Sequence, residues 1–126
     1  MRFSGRSVLV TGGGTGMGAA VARRMASEGA DVGLMGRRRE PLGAMAEDFG
    51  GLVVGSNAAD TSSVRHAIAH IHSATGPVDI LIANAGGHGI GPTVSMTDET
   101  WAEAGRLNLD TAFVCARECL PDLIDR

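Results

Sequence analysis

The sequence predicts an α/β fold, a parallel sheet with helices on both faces. Three observations carry this. Short runs rich in Val, Leu and Ile alternate with single longer stretches of helical periodicity. Gly or Pro punctuates most of the junctions between them. The fourth apolar run, Ile80-Leu81-Ile82-Ala83, has no polar residue between Asp79 and Asn84, the pattern of a strand covered on both faces and placed inside a sheet, so here it is expected either as an edge or as covered by something past residue 126.

The 126 residues suffice for one domain with its own core and are too few for two. Apolar residues make up 44% and charged residues 20%, a globular balance. A formal net charge of -3 gives no reason to expect nucleic acid or an anionic membrane as partner. No apolar run approaches the roughly 18 residues of a membrane span. The apolar run Val8 to Val10 is too short for a signal-peptide core, so the cytoplasm is the expected compartment. Gly accounts for 19 of the 126 residues, about twice the usual share, which marks sharp turns and close backbone approaches.

Taken in order, Ser7 to Thr11 reads as the first strand. A helix follows from Met17 to about Glu28, with Met17, Val21 and Met25 at i, i+4 spacing and Gly29 as its stop. Asp31 to Met35 is the second strand, ending at Gly36. The next helix begins near Glu40-Pro41, where Pro suits a first turn, and runs to Phe49 before Gly50-Gly51. Leu52 to Gly55 is strand three. Thr61 to Ala74 is a helix with Val64, Ala67, Ile68 and Ile71 on its apolar face, closed by Gly76-Pro77. Val78 to Ala83 is strand four. After a Gly-rich loop from Gly86 to Pro92, a long helix starts at about Thr97, its N-cap, and runs to about residue 124.

The segment Thr11-Gly12-Gly13-Gly14-Thr15-Gly16-Met17-Gly18 joins the first strand to its helix. A helix start there offers free N–H groups and a positive dipole end to a phosphate, and glycines let the phosphate approach the backbone. The generic dinucleotide pattern fits Gly14, Gly16 and Ala19 only loosely, and a Gly-rich turn without a ligand is the plain alternative. The spacing Thr11-Gly12-x-x-x-Gly16-x-Gly18 is more specific, and three further segments follow it in order. These are Asn57-Ala58-Ala59-Asp60, Ala83-Asn84-Ala85-Gly86 after Gly76-Pro77-Val78-Asp79, and Leu107-Asn108-Leu109. Together they resemble the short-chain dehydrogenases/reductases of the classical type, over essentially the whole chain. Two positions depart from that family: Asn57 stands where an Asp usually contacts adenine, and Ala83 replaces the first Asn of the family's NNAG segment.

The resemblance implies a Rossmann-type sheet of strand order 3-2-1-4, truncated before the later strands, so that residues 1–126 form an incomplete NAD(P)-binding domain. It implies cofactor contacts from Gly12, Thr15, Gly16, Met17, Gly18, Asn57, Ala58, Asn84, Ala85 and Gly86. It implies a catalytic role for Asn108, which in the family binds a water linking the catalytic Lys to solvent. The family's catalytic Ser, Tyr and Lys would lie past residue 126. This sequence contains no Tyr and no Lys at all, so no relocated pair is available.

In this fold an NAD site usually has a carboxylate about 20 residues past the glycine loop, accepting from the ribose hydroxyls. Here Gly36 is followed by Arg37-Arg38-Arg39. A guanidinium at that place clamps a 2′-phosphate bidentately, and three Arg beside a helix N-terminus oppose its dipole unless an anion is present. NADP(H) is therefore favoured over NAD(H), with Arg37 as first contact and Arg38 as second. A solvated basic turn is the bland alternative.

Other candidates are weaker. His66 and His70 are spaced to share a metal, but no carboxylate completes a set, so no metal site is expected and they read as exposed helix residues. His88 lies in the loop after strand four, near where a substrate would bind. Cys115 and Cys119 read as small core residues. The long helix shows one stripe at Trp101, Gly105, Asn108, Ala112, Cys115 and Cys119, with Asn108 its single polar member, and a second at Leu109, Phe113, Ala116 and Leu120. Two apolar sides need two covers: the sheet and, by the resemblance, the same helix of a second subunit in a homo-oligomer.

The expected parent function is hydride transfer between NADPH and a carbonyl or hydroxyl carbon of a small molecule, with this chain as the cofactor-binding half. A stand-alone nucleotide-binding or dimerising module without catalysis is the rival. A nucleotide-sugar or methyl-donor protein of the same fold fits the ordered motifs less well.

Overall fold

In a computed structural model, described over residues 1–87 and 91–125, the four apolar runs form one parallel sheet. Its strands are β1 (Ser7–Thr11), β2 (Asp31–Gly36), β3 (Leu52–Gly55) and β4 (Ile80–Ala83), in the order β3-β2-β1-β4. Val8 lies opposite Val32 on one side and Ile80 on the other, and Thr11 opposite Met35 and Ala83. The helices are α1 (Gly16–Ser27), α2 (Arg39–Phe49), α3 (Thr61–Thr75), α4 (Asp98–Gly105) and α5 (Thr111–Asp125).

The period-2 pleat divides the core. Val8, Val10, Val32 and Leu34 point to one face and meet Ala22 and Met25 of α1 and Leu42 and Met45 of α2. Leu9, Met35 and Val54 point to the other, against Val64, Ile68 and Ile71 of α3 and Val114, Cys115 and Cys119 of α5. Burial of a Leu such as Leu9 contributes about 1.5–3 kcal/mol. Burial also raises the thiols of Cys115 to about 11 and of Cys119 to about 12, so both stay protonated and act as packing groups. Helix starts follow their capping residues: Asp60 accepts from the Ser63 N–H at 2.8 Å, and Thr97 from the Thr100 N–H at 3.1 Å.

The structure departs from the sequence reading in three places, the start of β4, the facing of Met17 and the regularity of the long helix. β4 begins at Ile80 rather than Val78, because the Val78 N–H donates to Asp122 at 2.9 Å and Asp79 takes the Ser7 N–H at 2.8 Å through its side chain. In the expected order 3-2-1-4, β4 is among the described residues an edge strand paired only with β1, with Ile80, Leu81 and Ile82 half-buried. Met17 is exposed, since α1 turns Gly18, Ala19, Ala22 and Met25 inward instead. The long helix is not one regular helix: a π-helical turn, Arg106–Asp110, separates α4 from α5.

That turn takes up an extra residue and resets the helical register beyond it. Of the first expected stripe, Cys115 and Cys119 are fully buried, whereas Trp101 is 72% exposed and Gly105 and Asn108 are exposed. The inward positions become Thr111, Val114, Cys115 and Cys119. Leu109, Phe113, Leu120 and Ile124 face outward. His66 and His70 are exposed on α3, and His72 meets Asp122 at 2.6 Å. Among the described residues no helix is long and apolar enough to cross a membrane.

Candidate functional site

The β1–α1 turn is shaped by what it cannot contain. At Gly18 a Cβ would run into the Gly12 carbonyl and the Asn84 side chain, so only Gly lets α1 start this close to the sheet. Gly16 has φ +57°, in the left-handed region that favours Gly. Thr15 is the N-cap of α1, yet its hydroxyl caps nothing, and the first turn holds no acidic residue. The first N–H groups of α1 lack intrahelical acceptors, and the positive end of the helix dipole is uncompensated.

Two segments are stitched across the end of the sheet. The buried Thr11 Oγ1 accepts from the N–H groups of Asn84 at 3.0 Å and Ala85 at 2.9 Å. The Asn84 side chain returns a bond, Nδ2 to the Gly12 carbonyl, at 3.1 Å. From the other side Thr111 Oγ1 lies 3.3 Å from the Ala85 carbonyl and 2.8 Å from that of Leu107.

These segments wall a cavity of about 550 Å³ over the C-terminal ends of the strands. Gly12 and Thr15 lie at its centre, Asn84, Ala85 and Gly86 toward one end, and Arg37, Arg38, Asn57 and Ala58 toward the other. Gly16, Met17 and Gly18 stand at the helix start without lining the cavity. His88 lies outside the described residues.

Asn108 also does not line the cavity. Rather than standing buried in an apolar stripe, it is exposed in the π-helical turn, where Oδ1 accepts from Gly87 N–H at 3.3 Å and Nδ2 donates to the Ala104 carbonyl at 2.9 Å. Sequence reasoning missed Thr111, Ser56, Pro41 and Leu42 as lining residues. Thr111 gave no signal beyond its place three residues after Asn108.

The charges around the cavity are distinctive. Arg2, Arg6, Arg23, Arg24, Arg65, Arg106 and Arg117 each pair with a carboxylate. Among the described residues, Arg37, Arg38 and Arg39 form no ion pair, and Arg37 and Arg38 line the cavity. A helix N-terminus at the centre and free guanidinium groups at one end suit a ligand with a central phosphate and a second anion beyond it.

Comparison with known proteins agrees with this arrangement. The profile of a family described as short chain dehydrogenase matches residues 6–126. Meso-2,3-butanediol dehydrogenase from Serratia marcescens is 30% identical over 98% of this chain and 51% of its own length. A 3beta-hydroxysteroid dehydrogenase from Mediterraneibacter gnavus is 36% identical over 93% of the chain and 45% of its own length. A solved short chain dehydrogenase from Burkholderia cenocepacia, in complex with NADP, superposes with a TM-score of 0.91 at 29% identity, covering 98% of this chain and 53% of that one. The chain thus spans about half the length of the curated relatives it matches.

The Thr11 stitch yields a stability prediction. Thr11→Val removes the acceptor and leaves the Ala85 N–H unpaired, which costs about 1–3 kcal/mol. Thr11→Ser keeps the hydroxyl and loses one methyl, about 0.8 kcal/mol. Urea unfolding of both variants should rank them in that order, and equal losses would show that the hydroxyl does not hold the two segments together.

Proposed function

The chain belongs to the short-chain dehydrogenase family, and on that premise we propose that it binds NADP(H) as the cofactor-holding part of an oxidoreductase acting on a carbonyl or hydroxyl group of a small molecule. The observation that carries the cofactor half of this reading is the pair of unpaired guanidinium groups, Arg37 and Arg38, lining the far end of a cavity centred on the start of α1.

The residues present fit the dinucleotide. The N–H groups at Gly16, Met17 and Gly18, with Gly12 and the free Thr15 hydroxyl, would hold the pyrophosphate. Arg37, with Arg38 second, would hold the 2′-phosphate where an NAD site has a carboxylate. Asn57 and Ala58 would border the base, and Asn84, Ala85 and Gly86 the nicotinamide half. When bound, the nicotinamide supplies or accepts the hydride. Asn108 would contribute on that side by holding the segment after β4 through Gly87. The NADP in the Burkholderia structure supports the choice of cofactor.

A second reading is favoured by one observation: the sequence has no Tyr and no Lys to serve as the family's acid/base pair. By itself, then, the chain acts as a nucleotide-binding module. Its outward apolar face, Trp101, Leu109, Phe113, Leu120 and Ile124, supports self-association through the helix at about 97–124.

Three outcomes test these readings. A charge-assisted contact is worth about 1.5–3 kcal/mol, so Arg37→Leu should weaken NADPH binding about ten- to a hundredfold while leaving NADH nearly unchanged. Titration of both cofactors into both proteins measures this, and equal loss for the two would sink the assignment. Sedimentation at micromolar concentration should show dimers or larger species that Phe113→Asp dissociates. A wild-type monomer would contradict the self-association reading. Positioned acid catalysis is worth about 10²–10⁴-fold, so the chain alone should not oxidise NADPH steadily against ketones, aldehydes and quinones. Turnover lost in His88→Ala would identify His88 as the acid; turnover that survives it would overturn the module reading.

A further inference from the structure

The cavity beyond the arginines ends on Asn57, whose amide is set by its neighbours. Asn57 Oδ1 accepts from the Ala59 N–H at 3.0 Å. An N–H donates only to the oxygen of an amide, so this contact fixes which way the group faces. The backbone around it is braced: Asn57 N–H donates to Ser63 Oγ at 3.0 Å, Ser63 Oγ meets Ser56 Oγ at 2.8 Å, and the Asp60 N–H donates to the Asn57 carbonyl at 3.1 Å. Among the described residues Nδ2 makes no hydrogen bond, and Asn57 is exposed on the cavity wall.

The strand order says what would lie there. With a pyrophosphate at the β1–α1 turn and a ribose phosphate at the end of β2, the base falls over the end of β3. That is two strands out, about 10 Å at ordinary sheet spacing. Asn57 follows β3 by two residues. The purine edge at that place therefore meets an N–H₂ donor with no other partner among the described residues, beside an oxygen that holds the Ala59 N–H with one of its two lone pairs.

We infer that Asn57 presents a donor as well as an acceptor to the base of the dinucleotide, so that the site does not select adenine over a 6-oxopurine. This inference rests on the dinucleotide reading of the cavity. Adenine offers Nδ2 its N1 acceptor and can give a 6-amino hydrogen to the second lone pair of Oδ1, whereas hypoxanthine offers its O6 to Nδ2. An aspartate would take the Ala59 N–H with one oxygen and present the other as an acceptor, favouring the 6-amino group and repelling O6.

The test compares NADPH with reduced nicotinamide hypoxanthine dinucleotide phosphate, which differ only at the base, by calorimetric titration of the 126-residue chain. The ratio of their dissociation constants is the readout, because the phosphates are common to both and changes at the arginine end cancel. The wild type should bind the two within about fivefold. Asn57→Asp retains the Ala59 contact and should shift the ratio toward NADPH by about tenfold or more, equivalent to about 1.4 kcal/mol. Hypoxanthine binding more than fivefold weaker than adenine in the wild type overturns the inference without needing the variant, and so does an unchanged ratio in Asn57→Asp. NADPH binding with such a ratio leaves the cofactor reading standing, while no binding of either dinucleotide overturns that reading and the inference with it.

Discussion

Where Gly18 meets the Gly12 carbonyl and the Asn84 side chain, three backbone segments converge with no volume left for a Cβ, and the placement of every other part of the site follows. The convergence lies where the sheet order reverses. From β1 the chain moves outward to β2 and β3, then returns across the sheet to β4 on the other side of β1. The segments leaving β1 and β4 must part to opposite faces, which opens a crevice at the C-terminal ends of the strands. Thr11 spans its floor by accepting from the far segment, and the first turn of α1 aims its free N–H groups across it.

The charge pattern acts on this frame rather than building it. Exposed ion pairs contribute little stability, so the pairing of the arginines elsewhere is not what holds the fold together. Their pairing is informative because it stops at residues 37 to 39. Arg39 lies over Gly55, where a Cβ would meet its Nε at 2.8 Å, and this draws it away along β3. Arg37 and Arg38 are left at the cavity, upstream of a helix start that repels cations.

Much of this was legible in the sequence because it depends on short-range rules. The run Ser7 to Thr11 located β1, and the spacing of Val64, Ala67, Ile68 and Ile71 gave the inward face of α3. The glycine spacing located the turn where Gly18 must be Gly. What escaped depended on contacts distant in sequence. The start of β4 was obscured because Asp122, 44 residues on, takes the Val78 N–H. The orientation of the Asn57 amide is set by Ala59 in a turn that composition does not reveal. Thr111 carried no motif, and its position under Ala85 depends on a helical irregularity that periodicity assumes away.

That irregularity reconciles two demands on one helix. A regular helix would keep Trp101 and Asn108 on the line of Cys115 and Cys119, facing the core together. The π-helical turn instead leaves Asn108 at the rim, bonded to Gly87, and brings Thr111 beneath Ala85 and Cys115 beneath Ala58, 3.8 Å from its carbonyl. The inner side of α5 thus supports both ends of the cavity, the segment after β4 and the segment bordering Asn57. Its outer side carries Phe113, whose ring lies 4.9 Å from the Arg117 guanidinium, and Arg117 in turn bonds Thr61 of α3 at 2.8 Å. Whatever covers the outer face bears on the same helix that floors the cavity. The apolar face and the cavity are therefore served by two sides of one helix, whose register is set at residues 106 to 110.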